Sequence, residues 1–294
     1  MLSCLPVGEA DCFVLTLDAP EGRKTVLIDG GSLAHPVVDV PGWLAAHGVE
    51  RIDLLLLTHL HEDHLGFLPA VAARFPVARA VLPFAPFGLT DGQLAADPPA
   101  AGKDRRRDLG GYDRLWRALA AQNTVVSTLY PMDAPPAFRF GDYRLTCLYP
   151  APGARSDVRE ALGDLTGCTP EEISARYEPV KGEINRESAV WLLERAGEQL
   201  ALFCGDCESA AIDRVMAGRA LHPRVLKLSH HGRNDKGKVY FTPEQTAVLA
   251  PETIVVAYAP RKSPDRRDLW QALCPSARLL VTGDCPDGVE ISLD

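Results

Sequence analysis

Hydrophobic positions along this chain come mostly in short, dense runs closed by Gly, Pro, Asp or His, the pattern of strands buried on both faces. Leu54-Leu55-Leu56-Leu57 and Val225-Leu226-Lys227-Leu228 are the clearest, and each stops at a polar cluster. At the N-terminus, Met1 to Val7 and Cys12 to Leu17 predict a hairpin around Gly8-Glu9-Ala10-Asp11, followed by a third strand from Arg23 to Asp29. Further strands are expected at 80–82, 125–129, 143–149, 185–194, 199–203 and 254–257, with a final hairpin from 279–281 and 288–291. Helical patterning covers 37–47, with Gly48 as C-cap, then 66–75, 112–121, 208–216 and 264–273. Thr169-Pro170-Glu171-Glu172 reads as an N-cap with Pro at N1, opening a helix through Arg176.

Residues 84–111 break the rhythm with Pro86, Gly88, Pro98, Pro99 and Gly102, and read as an irregular insertion running into the helix at 112. The run Lys103-Asp104-Arg105-Arg106-Arg107-Asp108 is expected to be a solvated face, with reach over an anionic substrate as the alternative.

Composition narrows the class. The 294 residues are 46% hydrophobic, enough for a sizeable core in one large domain or two small ones. No apolar run approaches the ~20 residues that span a bilayer. The first residues lack a basic segment and a small-residue cleavage site, so a cytoplasmic location without membrane attachment is expected. Eight scattered cysteines do not make a disulfide scaffold, and Cys204-Gly205-Asp206-Cys207 reads as buried thiols at a strand end. A net charge of −8 weighs against extended duplex binding while leaving room for a small anionic substrate drawn in by bound cations.

The chemistry lies in Thr58-His59-Leu60-His61-Glu62-Asp63-His64-Leu65-Gly66. Four good ligands follow a buried strand and precede a helix, so they converge on one place. Imidazole with carboxylate suits zinc, manganese or iron better than calcium or magnesium. His59 and His61 alternate on extended backbone while Asp63 and His64 are adjacent, which gives two ligand pairs and favours two metals side by side. The competing reading is a surface loop that merely happens to be rich in His and Asp.

The pattern H-x-H-x-D-H after a hydrophobic strand resembles the signature of the metallo-β-lactamase superfamily. That resemblance implies an α/β fold, a four-layer αββα sandwich with a one- or two-metal site along one edge, as a single domain over 1–294 with the insertion at about 84–111. The N-terminal block ending in Asp29-Gly30-Gly31, Asn185-x-x-Ser188, the strand ending in Gly205-Asp206, and His230-His231-Gly232 resemble the ComEC-type, competence-protein-like branch, here without a membrane channel. By that resemblance Asp29 orients ligands from behind, Asp206 is shared by both metals, and His230 completes the second site. His231 is then a substrate-facing acid or an alternative ligand. Two departures stand out. There is no histidine between His64 and His222, and Asn185 falls near the place where many superfamily members supply one. Tyr258-Ala259-Pro260-Arg261-Lys262 stands where competence proteins carry Asn-x-Tyr-Gly-His-Pro.

The resulting expectation is two divalent ions, zinc or manganese, one on His59, His61 and Asp206, the other on Asp63, His64, Asp206 and His230. Such a pair, about 3.5–4 Å apart, traps a bridging hydroxide and suits a phosphoester substrate. A phosphodiesterase or nuclease is therefore expected, with Asp63, His231 and Asn185 as catalytic residues and DNA, a nucleotide second messenger or a phosphocholine-like ester as candidate substrates. Lys227 reads as strand surface. The alternatives are a hydrolase of another ester class, or a non-hydrolytic metal-binding module of a larger assembly.

Overall fold

The computed structural model describes residues 1–90, 92–93, 103–233, 238–258 and 266–294. Two seven-stranded sheets pack face to face with helices outside. The first contains β1 (Leu2–Cys4), β2 (Phe13–Ala19), β3 (Gly22–Ile28), β4 (Leu54–Leu56), β5 (Arg79–Leu82), β6 (Val125–Thr128) and β14 (Val289–Ile291), in the order β14-β1-β2-β3-β4-β5-β6. The second contains β7 (Ala137–Phe140), β8 (Tyr143–Tyr149), β9 (Val190–Arg195), β10 (Glu198–Phe203), β11 (Val225–Lys227), β12 (Thr253–Val256) and β13 (Arg278–Val281), in the order β13-β12-β11-β10-β9-β8-β7.

Both sheets follow one plan. Antiparallel hairpins come first, and parallel strands joined through helices follow: β3-β4-β5-β6 in one sheet, β10-β11-β12-β13 in the other. Parallel neighbours end on the same edge, so the loops after β3, β4, β10 and β11 emerge together. That edge carries Asp29, the His-rich loop, Asp206 and the His-His pair. The dense apolar runs follow from this topology, because central parallel strands are covered on both faces. Leu54, Leu55 and Leu56 are all fully buried.

The inner faces of the two sheets share a core in which Phe13 of the first meets Phe203 of the second, with ring centroids 5.6 Å apart. Each large apolar side chain buried there contributes about 1.5–3 kcal/mol. A second apolar cluster lies between the outer face of the second sheet and helices α7 (Ser209–Met216), α8 (Pro243–Leu249) and α9 (Arg267–Leu273). Helices α1 (Val40–Ala46), α2 (Glu62–Leu65), α3 (Leu68–Arg74), α4 (Lys103–Ala121), α5 (Asp157–Leu162) and α6 (Pro170–Tyr177) complete the set used below. Among the described residues no helix is long and apolar enough to cross a membrane.

Several expectations are corrected. The last two strands do not form a hairpin: β13 runs parallel to β12 in the second sheet, while β14 crosses to pair antiparallel with β1 in the first. Residues 184–187 form a 3-10 turn, so β9 starts only at Val190. Helix α4 starts at Lys103, inside the stretch expected to be irregular, and the basic cluster is not simply solvated. Arg105 and Asp108 are buried: Arg105 donates to the Pro170 carbonyl and the Ser174 hydroxyl, and Asp108 accepts from the Tyr177 hydroxyl. The departure noted at 258–262 falls, apart from Tyr258, outside the described residues.

Candidate metal centre

Helix α2 begins directly after His61, so Asp63 and His64 sit in its first turn, while His61 is on extended backbone and His59 lies in the bend before it. Three anchors hold this turn. Asp108 of α4 accepts from the Glu62 backbone N–H (2.9 Å), and the Glu62 carboxylate accepts from Ala34 N–H and the Ser32 hydroxyl (both 2.7 Å). At the other end, Gly66 lies so close to the chain at 31–33 that a Cβ there would stand 2.4 Å from Leu33 N and 2.5 Å from Gly31 O.

Asp29 closes β3 with a left-handed backbone (φ 58°), a conformation Asp tolerates better than most residues. Its carboxylate accepts from the Thr58 N–H and Thr58 hydroxyl, both at 2.8 Å, and lies 2.8 Å from His64 Nδ1. His64 is thereby fixed with Nε2 turned inward, 3.2 Å from Asp206 Oδ1. Among the described residues neither of these two buried atoms has a hydrogen-bond partner, as expected of donors that converge on a cation.

Asp206 follows Gly205, whose left-handed backbone (φ 49°) brings the turn against Thr58 and Ser188. Its N–H donates to the Ser188 hydroxyl at 3.1 Å. The carboxylate then lies 4.0 Å from His59 Nε2, 3.9 Å from His230 Nε2 and 3.7 Å from His231 Nε2. His59 Nε2 and His61 Nδ1 are 3.2 Å apart.

Among the described residues three groups of donors emerge, each lying within 4.8 Å: His59, His61 and Asp63; Asp63, His64, Asp206 and His231; and, behind these on the Nδ1 side of His64, Asp11, Asp29 and His64. Imidazole nitrogens with carboxylate oxygens are the donor set of a transition-type divalent ion, so these residues fit such a metal. The structure brings His231, not His230, into the second group. Both histidines have left-handed backbones (φ 49° and 52°), and the chain turns so that the second ring enters the site. His231 is buried, with Nε2 3.3 Å from Asp63 Oδ2 and Nδ1 3.3 Å from Asp11 Oδ1. The His230 ring instead lies against Tyr240, with centroids 4.0 Å apart, and lines the cleft above the centre. That cleft, about 700 Å³, is also lined by His61, Asp63, Asn185 and Asp206. Among the described residues Asn185 Oδ1 is buried without a hydrogen-bond partner, and Nδ2 donates to the Tyr240 hydroxyl at 3.4 Å.

Charge in the site is strongly perturbed. Burial opposes a charge on His64 and His231, but the carboxylates around them, Asp206 foremost, outweigh it. His64 is held well above the usual imidazole range, and His231 is pushed up to about 9. Burial likewise opposes ionisation of Asp206, yet His64 and His231 hold its pKa well below that of an ordinary carboxylate. His59 goes the other way: burial, with the charge of His64 next, keeps it neutral.

Two further residues of the site carry no motif. Asp11 lies beneath His231 and His64, and Lys227, read from the sequence as strand surface, is buried with its ammonium on Asp11. The available signal was a lysine inside an otherwise apolar strand, a charge that burial forces to find a partner.

Residues 5–119 match the family described as Metallo-beta-lactamase superfamily. The chain is 42% identical over 74 residues to a hydroxyacylglutathione hydrolase of Stenotrophomonas maltophilia, covering 25% of this chain and 26% of that one. It is 29% identical over 119 residues to a metal-dependent hydrolase of Cupriavidus necator, covering 28% and 41%. The chain thus spans about a quarter and two fifths of the lengths of these relatives. Among solved structures, a point mutant of the β-hydroxylase CmlA, known from Streptomyces venezuelae, superposes with a TM-score of 0.50 at 16% identity, over 95% of this chain and 52% of that one. Likeness at that identity speaks to the fold alone. The chain carries the metallo-β-lactamase fold, and its residues 5–119, which hold the His-rich loop, are similar in sequence to the metallo-beta-lactamase superfamily.

Proposed function

We propose that this chain is a binuclear metal-dependent hydrolase whose substrate is a small phosphodiester or phosphomonoester. The observation that carries the reading is the pair of donor groups sharing Asp63 at the floor of one cleft. In this reading His59, His61 and Asp63 hold one zinc or manganese ion. Asp63, His64, Asp206 and His231 hold the other, with Asp206 within reach of both. Bound there, divalent ions supply Lewis-acid activation of water and of the attacked ester. The remaining roles fall to the chain itself. His230, half-open to the cleft and steadied by Tyr240, is placed to pass a proton to the leaving group, the task expected of its neighbour. Asn185, with its unpartnered carbonyl, is placed to orient substrate.

The substrate size follows from the cleft, whose volume suits a drug-sized ligand. A net charge of −8 also disfavours a long duplex. The order Asn185-x-x-Ser188, Gly205-Asp206 and His230-His231-Gly232 supports placement in the ComEC-type branch, and the shared core supports one domain over 1–294. A cytoplasmic location is part of the same proposal. The local identity to a hydroxyacylglutathione hydrolase favours a second reading, hydrolysis of another ester class on the same centre.

The test is metal content per chain by elemental analysis, on protein purified without chelators, with turnover of bis-p-nitrophenyl phosphate on the same sample. About two equivalents, and turnover abolished in Asp206→Ala, are expected. Turnover of a thioester alone would move the assignment to the second reading. One equivalent or less and no turnover after added manganese or zinc would overturn both, leaving a metal-binding module.

A further inference from the structure

Lys227 is 2% exposed, in β11, an inner strand of the parallel half of the second sheet, beside Asp206. Burying an ammonium there carries a desolvation penalty that an apolar side chain of the same length would avoid. Its partners show what it faces. Nζ contacts Asp11 Oδ2, donates to the Gly205 carbonyl at 2.8 Å, and lies 3.6 Å from Asp206 Oδ1.

Asp11 in turn is bolted to the ligand loops. Its N–H donates to the Asp63 carbonyl at 3.0 Å, and its own carbonyl accepts from Gly31 at 2.7 Å. One carboxylate oxygen stands 3.3 Å from His231 Nδ1, the other 3.6 Å from His64 Nδ1. A carboxylate on Nδ1 fixes an imidazole with Nε2 toward the metal and strengthens it as a donor. It also adds a negative charge to a pocket that already holds Asp29, Asp63 and Asp206.

We propose that Asp11 and Lys227 form a built-in, charge-neutral pair of the metal centre, in which Asp11 positions His231 and Lys227 cancels the charge Asp11 would otherwise add. Both are positioning residues; neither touches substrate. The inference rests on the metal-centre reading above but not on any particular substrate.

Its signature is opposite signs. Lys227→Met leaves Asp11 uncompensated, so a divalent ion binds the folded protein more tightly. Asp11→Asn leaves Lys227 uncompensated beside Asp206 and replaces the carboxylate behind His231 with a neutral amide, so the ion binds more weakly. Removing both charges cancels most of the effect. Zinc dissociation constants are to be measured by competition with a chromogenic chelator, on the wild type, both single variants and the double variant. The expected results are a tightening of about tenfold for Lys227→Met and a loss of about 10- to 100-fold for Asp11→Asn. The double variant is expected within about tenfold of wild type.

If both single variants weaken binding and the double variant sums their losses, the pair is merely structural and the inference falls. Should Lys227→Met not accumulate folded, the other two proteins decide. Recovery of zinc affinity when Lys227→Met is added to Asp11→Asn supports the pair, and no recovery overturns it. A wild type that binds no zinc would instead sink the metal-centre reading itself.

Discussion

At the scale of single residues, Asp206 and Asp29 divide the work of the centre between an inner carboxylate and an outer one. Asp206 faces four imidazoles, so its removal takes the common partner from all of them. Asp29 lies on the Nδ1 side of His64, away from Asp206, and fixes Thr58 and His64 together. Asp29→Ala would strand a buried N–H and free the His64 ring. Metal affinity is expected to fall by about 10- to 100-fold, read by chelator competition. Stability is expected to fall by about 1–3 kcal/mol, read by urea melts of the metal-free protein. Unchanged affinity would show that His64 is held by packing alone. Residue type made His59, His61, Asp63 and His64 legible as ligand candidates, because three imidazoles and a carboxylate within six positions after a buried strand converge on one place. The choice between His230 and His231 was not legible. Adjacent side chains point apart, and which one enters the site depends on two left-handed residues that sequence pattern does not announce. Lys227 was misread for a related reason: its partner is distant in sequence, in a turn that looks ordinary.

At the scale of elements, the site depends on where short helices begin and end. Helix α2 is only one turn long, so its position is set by its neighbours: Asp108 at its start and the chain at 31–33 at its end. Gly66→Ala would push a methyl group into that chain and, through it, displace Asp29. The expected cost is about 1–3 kcal/mol, accompanied by weaker zinc binding. The two should be measured together, by thermal melts with chelator and by metal titration. A stability loss with intact metal affinity would show that 29–33 moves independently of the site. Helix ends were legible where capping is local. Thr169-Pro170-Glu171-Glu172 forms the expected capping box, and Thr242-Pro243-Glu244-Gln245 follows the same grammar and opens α8, although it was passed over. The start of α4 was not legible. Its first turns carry Arg and Asp whose partners lie on α6, so tertiary contacts rather than periodicity make them helical.

At the scale of the whole molecule, the sandwich brings together loops that follow central strands of two different sheets, and the burial of that junction ties folding to pH and, on the proposed reading, to metal. The strand runs made the layers legible. The crossing of β14 into the first sheet was not, since two short apolar runs near in sequence look the same whether or not they pair. The consequence of the junction can be worked out at His231. In the metal-free protein its pKa is raised from the usual 6.5 to about 9. The folded state therefore holds a proton there that the unfolded chain releases first. The stability this contributes is complete below about 6.5 and is lost as pH rises through about 9. His64 acts in the same direction, whereas neutral His59 opposes it by favouring the folded state above the usual imidazole range. In the proposed centre a metal ion would take the lone pair that the His231 proton occupies, so proton and metal would compete. As pH rises from 6.5 toward 9, the metal-free protein should weaken while the stabilisation by zinc grows. Each displaced proton adds about 1.4 kcal/mol per pH unit. Thermal melts with excess zinc and with chelator, taken across that interval, should show the two melting temperatures diverging. Parallel curves would mean that His231 carries no proton in the metal-free protein, and that its carboxylate neighbours orient a neutral ring.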